Sequence, residues 1–251
     1  MSEPQLNIVK FGGSIVNPDG KYNNQVINDF ADLVKETGQR FIFVVGGGKI
    51  CRGVQDASMS HLEAALEDPK EIDIARDRIG IATTQINADY VRRQFQRHLG
   101  DAGRIYPEII LDPTMPVQGD YQIYFACGWK PGCSTDKDMM LLAETFNADR
   151  VFKISDFPIV KDISPHELKK YSGEDKIRMI KQAPDLPKAS WQKLVDLVGT
   201  EWEAGLSTPF DPRAAEIGYR LRDKLVVYIG QQQEFPKMLR GEDFIGTIIQ
   251  K

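Results

Sequence analysis

"VKFGGSIV", Val9 to Val16, and "FVVGGGKICR", Phe43 to Arg52, share one design: a run of strand-forming residues stops on bare glycine beside a lysine. Successive glycines at a strand end let backbone N–H groups approach an anion with no Cβ in the way. A helix that starts there adds partial positive charge. Lys10, before the first turn, and Lys49, after the second, supply full charges. The plainer alternative is a pair of tight turns with solvated lysines. Between the two stretches Val26, Ile27, Phe30, Leu33 and Val34 fall at helical spacing, and Gly38 sits where a glycine ends a helix. Strand, helix and strand make a βαβ unit, whose parallel strands place both glycine turns on one edge of the sheet. Ligands of open α/β sheets lie along that edge.

Neither turn fits the familiar nucleotide signatures. A Walker A loop would need glycine at Phe43 and serine or threonine at Ile50, and the dinucleotide fingerprint G-x-G-x-x-G is absent from both turns. The phosphate-binding architecture is therefore of another kind.

Composition narrows the classes. A chain of 251 residues with 41% apolar content can bury a sizeable core, as one large α/β domain or two intimate lobes. Charges of both signs are interspersed and the net charge is −4, which speaks against a nucleic-acid surface. Cys51, Cys127 and Cys133 are odd in number and lack zinc spacing, which favours a reducing compartment with small buried thiols. His61, His98 and His166 are scattered, so no structural metal is expected. With no signal sequence and no long apolar run, the expectation is a cytoplasmic protein without a membrane span.

Further along, "IGIATTQINADYVRRQFQRHLG" predicts a long core helix with Ile79, Ala82, Ile86, Ala88, Val91 and Phe95 on its apolar face. "DYQIYFA", "ADRVFKIS" and "KLVVYIG" predict strands, "DKDMMLLAETFN" a helix, and Asp211 with Pro212 the start of another. Asp156 to Ser190 is proline-rich with alternating charge, and reads as a mobile loop or lid with a short helix, or as a plain surface insertion.

Taken together, "KFGGS" (Lys10 to Ser14), "GGGKICR" (Gly46 to Arg52), "DRIGIATTQINA" with Asp77, Gly80, Thr84 and Asn87, "KPGCSTD" (Lys130 to Asp136) and the terminal "GTII" (Gly246 to Ile249) resemble the amino-acid kinase superfamily, and within it the uridylate (UMP) kinases. The motifs occur in family order across nearly the whole chain. The resemblance implies a single domain over residues 1–251, a three-layer α/β/α sandwich around a largely parallel sheet, with acceptor-binding residues 1–150 and nucleotide-binding residues 151–251 as its lobes. It implies ATP as phosphoryl donor to UMP in pyrimidine nucleotide synthesis, Mg²⁺ held mainly by substrate phosphates, no protein metal site, and a homo-oligomer, with a hexamer suspected.

By the same resemblance, Lys10 would hold the transferring phosphoryl group, while Gly12, Gly13, Ser14 and Gly48 would cradle donor phosphates. Gly47 and Gly48 would face the acceptor phosphate, with Arg52 as its clamp. Asp77 would accept hydrogen bonds from the acceptor sugar, unless it is an ordinary helix-start cap. Gly128, Gly132, Ser134 and Thr135 would surround the base, and Asp136 would orient the lysines. Lys153 is the candidate for the second phosphate lysine with Lys161 as rival, and Ser155 would lie on the donor side. In "ISDFPIVKDISP" Pro158 and Ile159 replace the family's Asp-Gly pair and Lys161 its aromatic residue, so donor-nucleoside contacts depart from the pattern. Cys133 stands where relatives often carry a polar or aromatic residue. The alternatives are another acid or phosphate kinase of the superfamily, or a non-catalytic nucleotide or oxyanion storage protein of the same fold.

Overall fold

The computed structural model describes residues 5–199 and 208–251. The chain divides into two compact units, Met1–Ala148 and Asp149–Lys251. Unit 1 runs β1 (Leu6–Phe11), α1 (Gly13–Val16), α2 (Asn24–Thr37), β2 (Arg40–Val45), α3 (Gly48–Ala65), α4 (Pro69–Leu99), β3 (Ile105–Ile110), β4 (Ile123–Ala126) and α5 (Thr135–Thr145). Its strands lie in the order β3-β4-β2-β1, and every pairing among them is parallel. The fold is the α/β sandwich expected, with helices on both faces of a largely parallel sheet. Phe43 of β2 and Phe125 of β4 point to one face and meet Phe95 of α4. Tyr124 points to the other and meets Phe146 at the end of α5.

The βαβ unit forms where its sequence pattern puts it. Asn23 caps α2 by accepting from the Val26 N–H, and Gly38 ends the helix in the left-handed region at φ 62°. Ile27, Phe30, Ala31, Leu33 and Val34 are the buried stripe, and burying each large side chain contributes about 1.5–3 kcal/mol. Phe30 stacks on Phe11, with ring centroids 4.6 Å apart.

Two elements depart from expectation in unit 1. Helix α4 begins at Pro69, capped by the Asp68 carboxylate, and its buried face is rotated from the one the apolar residues mark. Thr83, Thr84, Asn87, Ala88, Val91, Gln94 and Phe95 face inward, whereas Ala82 is exposed and Ile86 is 63% exposed. Polar partners at the sheet edge, described below, help to select that rotation. Strand β3 has no alternating signature and carries Pro107. It pairs only with β4 in unit 1, and an outer strand tolerates proline because one side of it needs no N–H donors.

Unit 2 runs β5 (Arg150–Ile154), α6 (Pro165–Leu168), α7 (Gly173–Gln182), β6 (Lys188–Ser190), α8 (Trp191–Val198), α9 (Pro212–Arg220), β7 (Val226–Gly230), α10 (Phe235–Arg240) and β8 (Gly246–Gln250). Its strand order is β5-β7-β8-β6, with β7 and β8 antiparallel and the other pairs parallel. Asp211 caps α9 by accepting from the Ala214 N–H at 3.0 Å. Trp191 fills the space beside Gly218, where an added Cβ would lie 1.9 Å from the ring.

The stretch from Asp156 to Ser190, read as a loop or lid with a short helix or as a surface insertion, holds two helices, α6 and α7, and the strand β6. Buried Thr247 of β8 ties it down: its Oγ1 accepts from the Val160 N–H at 3.0 Å and donates to the Leu186 carbonyl at 2.7 Å. No described helix is long and apolar enough to cross a membrane.

Candidate active site

In unit 1 the β1–β2 register sets Phe11 opposite Val45, so both glycine turns leave the sheet at one edge. There they pack on each other backbone to backbone. A Cβ on Gly13 would lie 2.0 Å from the Gly48 nitrogen, and one on Gly46 would lie 2.8 Å from the Gly13 nitrogen. Gly48 also adopts φ +63°, a conformation that L side chains rarely take. The glycines thus have a packing requirement that the sequence reading did not contain. The two turns form one surface.

Lys10, on β1 just before the first turn, donates to Asp136 Oδ1 at 2.6 Å. Asp136 is buried in the first turn of α5, and Lys10 is half-buried. The carboxylate therefore holds the ammonium at the turn surface in a partly desolvated place, where charge interactions are stronger than in water. Gly12 and Gly13 are buried and Ser14 is exposed. Gly12 accepts the first amide bonds of α1 through its carbonyl.

Helix α3 starts at Gly48 with no side-chain cap, its N-cap being Gly47. Arg52 stands one turn further on, exposed and without an ion-pair partner among the described residues. Lys49 is exposed beside it. Asp77 lies within α4, so the helix-start reading does not apply; its Oδ2 accepts from the Gly132 N–H at 2.7 Å and holds the loop before α5. In that loop Gly132 has φ +75°, the Gly128 N–H donates to Thr84 Oγ1 at 2.9 Å, and Ser134 caps α5 by accepting from the Lys137 N–H at 3.2 Å. Thr135 is the first residue of α5. Ser134 thus has a structural task beside any contact to a ligand.

The thiols differ. Cys51 and Cys133 are half-buried and Cys127 is buried. Burial, with the nearby Asp138 carboxylate, pushes the Cys127 thiol up to about 12. Burial also raises Cys51, against Arg52 and Arg76, which lower it.

In unit 2, Lys153 at the end of β5 is buried rather than a surface strand-end lysine, and donates to the Pro209 carbonyl at 2.6 Å. The rival, Lys161, pairs with Asp185 at 2.6 Å. Ser155 is buried and its hydroxyl donates to the Phe157 carbonyl at 3.0 Å. Beside them Phe157, Ile159, Ile163, Leu168 and Ile180 line an apolar cavity of about 250 Å³. Among the described residues no group of three or more His, Cys, Asp or Glu side chains gathers as a metal cage requires.

Three residues at the unit 1 edge carry no role in the sequence reading: Asn17, Thr84 and Asn87. Asn17 is buried and its Oδ1 accepts from the Ile50 N–H at 3.3 Å, linking the end of α1 to the start of α3. For Thr84 and Asn87 the available signal was their place in the "DRIGIATTQINA" motif.

Two abutting glycine turns at one edge of a parallel sheet, with a carboxylate-held lysine beside them, characterise this α/β protein. Residues 5–227 match the amino acid kinase family, and the chain belongs to it. The uridylate kinase of Methanocaldococcus jannaschii is 28% identical over 97% of this chain and 98% of its own length. That of Archaeoglobus fulgidus is 25% identical over 96% and 98%. The chain also shares the fold of the crystal structure of the Archaeoglobus fulgidus uridylate kinase, with a TM-score of 0.70 at 23% identity, over 97% of this chain and 99% of that one. For the UMP kinase of Bacillus anthracis the TM-score is 0.70 at 17% identity, over 99% and 96%.

Proposed function

We propose that this chain is an ATP-dependent uridylate kinase, moving the γ-phosphoryl group of ATP to UMP and releasing ADP and UDP. The observation that carries the reading is the Lys10–Asp136 pair at the edge where the two glycine turns meet. Near full-length similarity to uridylate kinases supports UMP as the acceptor. In the reaction a UMP phosphate oxygen forms the new P–O bond as the bond to the ADP oxygen breaks. The acceptor oxygen is already ionised at neutral pH, so no general base is required. Bringing two anions together is the main obstacle, and positioning and charge neutralisation overcome it.

Lys10 meets the charge of the group in transfer, and Asp136 keeps the ammonium in place. Arg52 grips the acceptor phosphate, for which a planar fork is suited, and Gly47 and Gly48 offer backbone donors to it. Gly12, Gly13 and Ser14 serve the donor phosphates. Asp77, Gly128, Gly132, Ser134 and Thr135 frame the nucleoside of UMP. On the donor side Lys153, Ser155 and Lys161 are the unit 2 candidates, following the resemblance. Following the resemblance, Mg²⁺ would be held mainly by the nucleotide phosphates, as suits a small cation that keeps several of its waters. Assembly into a homo-oligomer also follows the resemblance, and exposed Ile86 and Leu111 in unit 1 are available to it.

A coupled ADP-release assay with UMP, CMP, carbamate, isopentenyl phosphate and amino-acid carboxylates as acceptors tests the reading. UMP should give the highest kcat/KM. Turnover on a different acceptor in preference to UMP refutes the assignment, and ATP binding with no acceptor-dependent turnover points to a storage protein.

A further inference from the structure

Glycine populates positive and negative φ about equally, so the turn Gly46-Gly47-Gly48 has little backbone preference of its own beyond the α3 bond from the Cys51 N–H to the Gly47 carbonyl at 3.2 Å. A surface that must present N–H groups in one direction therefore needs a lock. Asn87, fully buried on the inner face of α4, provides one. Its Nδ2 donates to the Gly46 carbonyl and to the Gly47 carbonyl, each at 2.9 Å. Its Oδ1 accepts from the Tyr22 hydroxyl at 2.8 Å, and the Tyr22 ring stacks on Tyr90 with centroids 3.6 Å apart. The two glycine carbonyls fix which end of the amide faces them, since the reverse orientation would set oxygen against two carbonyl oxygens, and the Tyr22 hydroxyl satisfies the other end.

In a trans peptide the C=O and the following N–H point in opposite directions. The Gly46 carbonyl shares its plane with the Gly47 N–H, and the Gly47 carbonyl shares its plane with the Gly48 N–H. Drawing both carbonyls toward α4 turns both N–H groups away from it. We propose that Asn87 is a positioning residue that aims the Gly47 and Gly48 N–H groups at the acceptor phosphate, with Tyr22 bracing its carbonyl end. The acceptor in this statement rests on the uridylate kinase reading. It also explains why α4 buries Asn87 and leaves Ile86 in solvent.

The test uses the whole chain with Asn87→Asp, which keeps the shape but replaces the donors by oxygens, and Tyr22→Phe, which removes only the bracing hydroxyl. In the ligand-free protein the ¹H–¹⁵N resonances of Gly47 and Gly48 should shift in Asn87→Asp. KM for UMP should rise at least about tenfold while KM for ATP stays within about twofold. Tyr22→Phe should move the same quantities in the same direction by less. A folded Asn87→Asp protein with unshifted glycine resonances overturns the inference, as does a parallel loss for UMP and ATP that merely tracks a lower Tm. Should Asn87→Asp fail to fold, wild-type resonances and KM in Tyr22→Phe overturn it. If the glycine resonances shift but the wild type shows no UMP turnover, the functional reading falls and the locking of the turn stands.

Discussion

Lys10 and Arg52 divide the electrostatic work differently. Lys10 is held by Asp136, so in the proposed reaction its charge would be preorganised for the moment of transfer. Lys10→Ala should lower kcat by about a hundredfold or more, on the order of 3 kcal/mol in the transition state, with little change in UMP affinity. Single-turnover rates with UMP binding measured in parallel would decide it; an unchanged kcat removes Lys10 from the mechanism. Arg52 is exposed and without an ion-pair partner among the described residues, so in the proposed reaction its geometry would be set by the phosphate it meets. Arg52→Lys replaces a fork by a point charge and should raise KM for UMP several-fold with KM for ATP nearly constant; equal acceptor constants contradict the clamp. The thiols give a pH-linked expectation. Because the Cys127 thiol is raised to about 12, its thiolate is scarce at neutral to mildly alkaline pH, and only the half-buried Cys51 and Cys133 should react with a thiol reagent there. Prompt labelling of all three in the folded protein would contradict that burial.

At the scale of elements, the tie between β8 and the stretch from Asp156 to Ser190 runs through one hydroxyl. Thr247→Val keeps the shape but strips the Val160 N–H and the Leu186 carbonyl of their partner in a buried place. Leaving such groups unpaired costs about 1–3 kcal/mol each. Hydrogen exchange at Val160 should quicken and Tm should fall in this variant. Unchanged exchange and Tm would show that α6, α7 and β6 are held by their other contacts. Helix α4 teaches a related point: Thr84 receives the Gly128 N–H and Asn87 reaches two turn carbonyls. Those bonds act together with the packing of Phe95 on Phe43 and Phe125 to set which face turns inward.

For the whole molecule, the proposed assembly has a candidate surface in unit 1. Ile86 is 63% and Leu111 52% exposed, and covering such residues with a second copy would remove apolar area from water. Sedimentation of the wild type should show an oligomer, and Ile86→Arg should shift the population toward smaller species. An active monomer at all concentrations tested would dispose of the idea, while an oligomer indifferent to Ile86→Arg would place the contact elsewhere.

The sequence by itself determined the βαβ unit and its glycine edge. Helix α2, its cap at Asn23, its Gly38 end and the strands around it follow from local periodicity and from backbone preferences carried by single residues. Lys10 and the glycines were legible as candidates because charge and missing Cβ atoms are visible in a string of letters, while Arg52 and Asp136 became candidates through the family resemblance. The tertiary structure decided what those letters leave open. It joined Lys10 to Asp136 across the chain, set the two glycine turns against each other, placed Pro107 in an outer strand, ordered a proline-rich segment through Thr247, and turned Asn87 inward. Each of these rests on a backbone group of one segment finding its partner in another, and a hydrogen bond between distant residues has no period that the sequence can display.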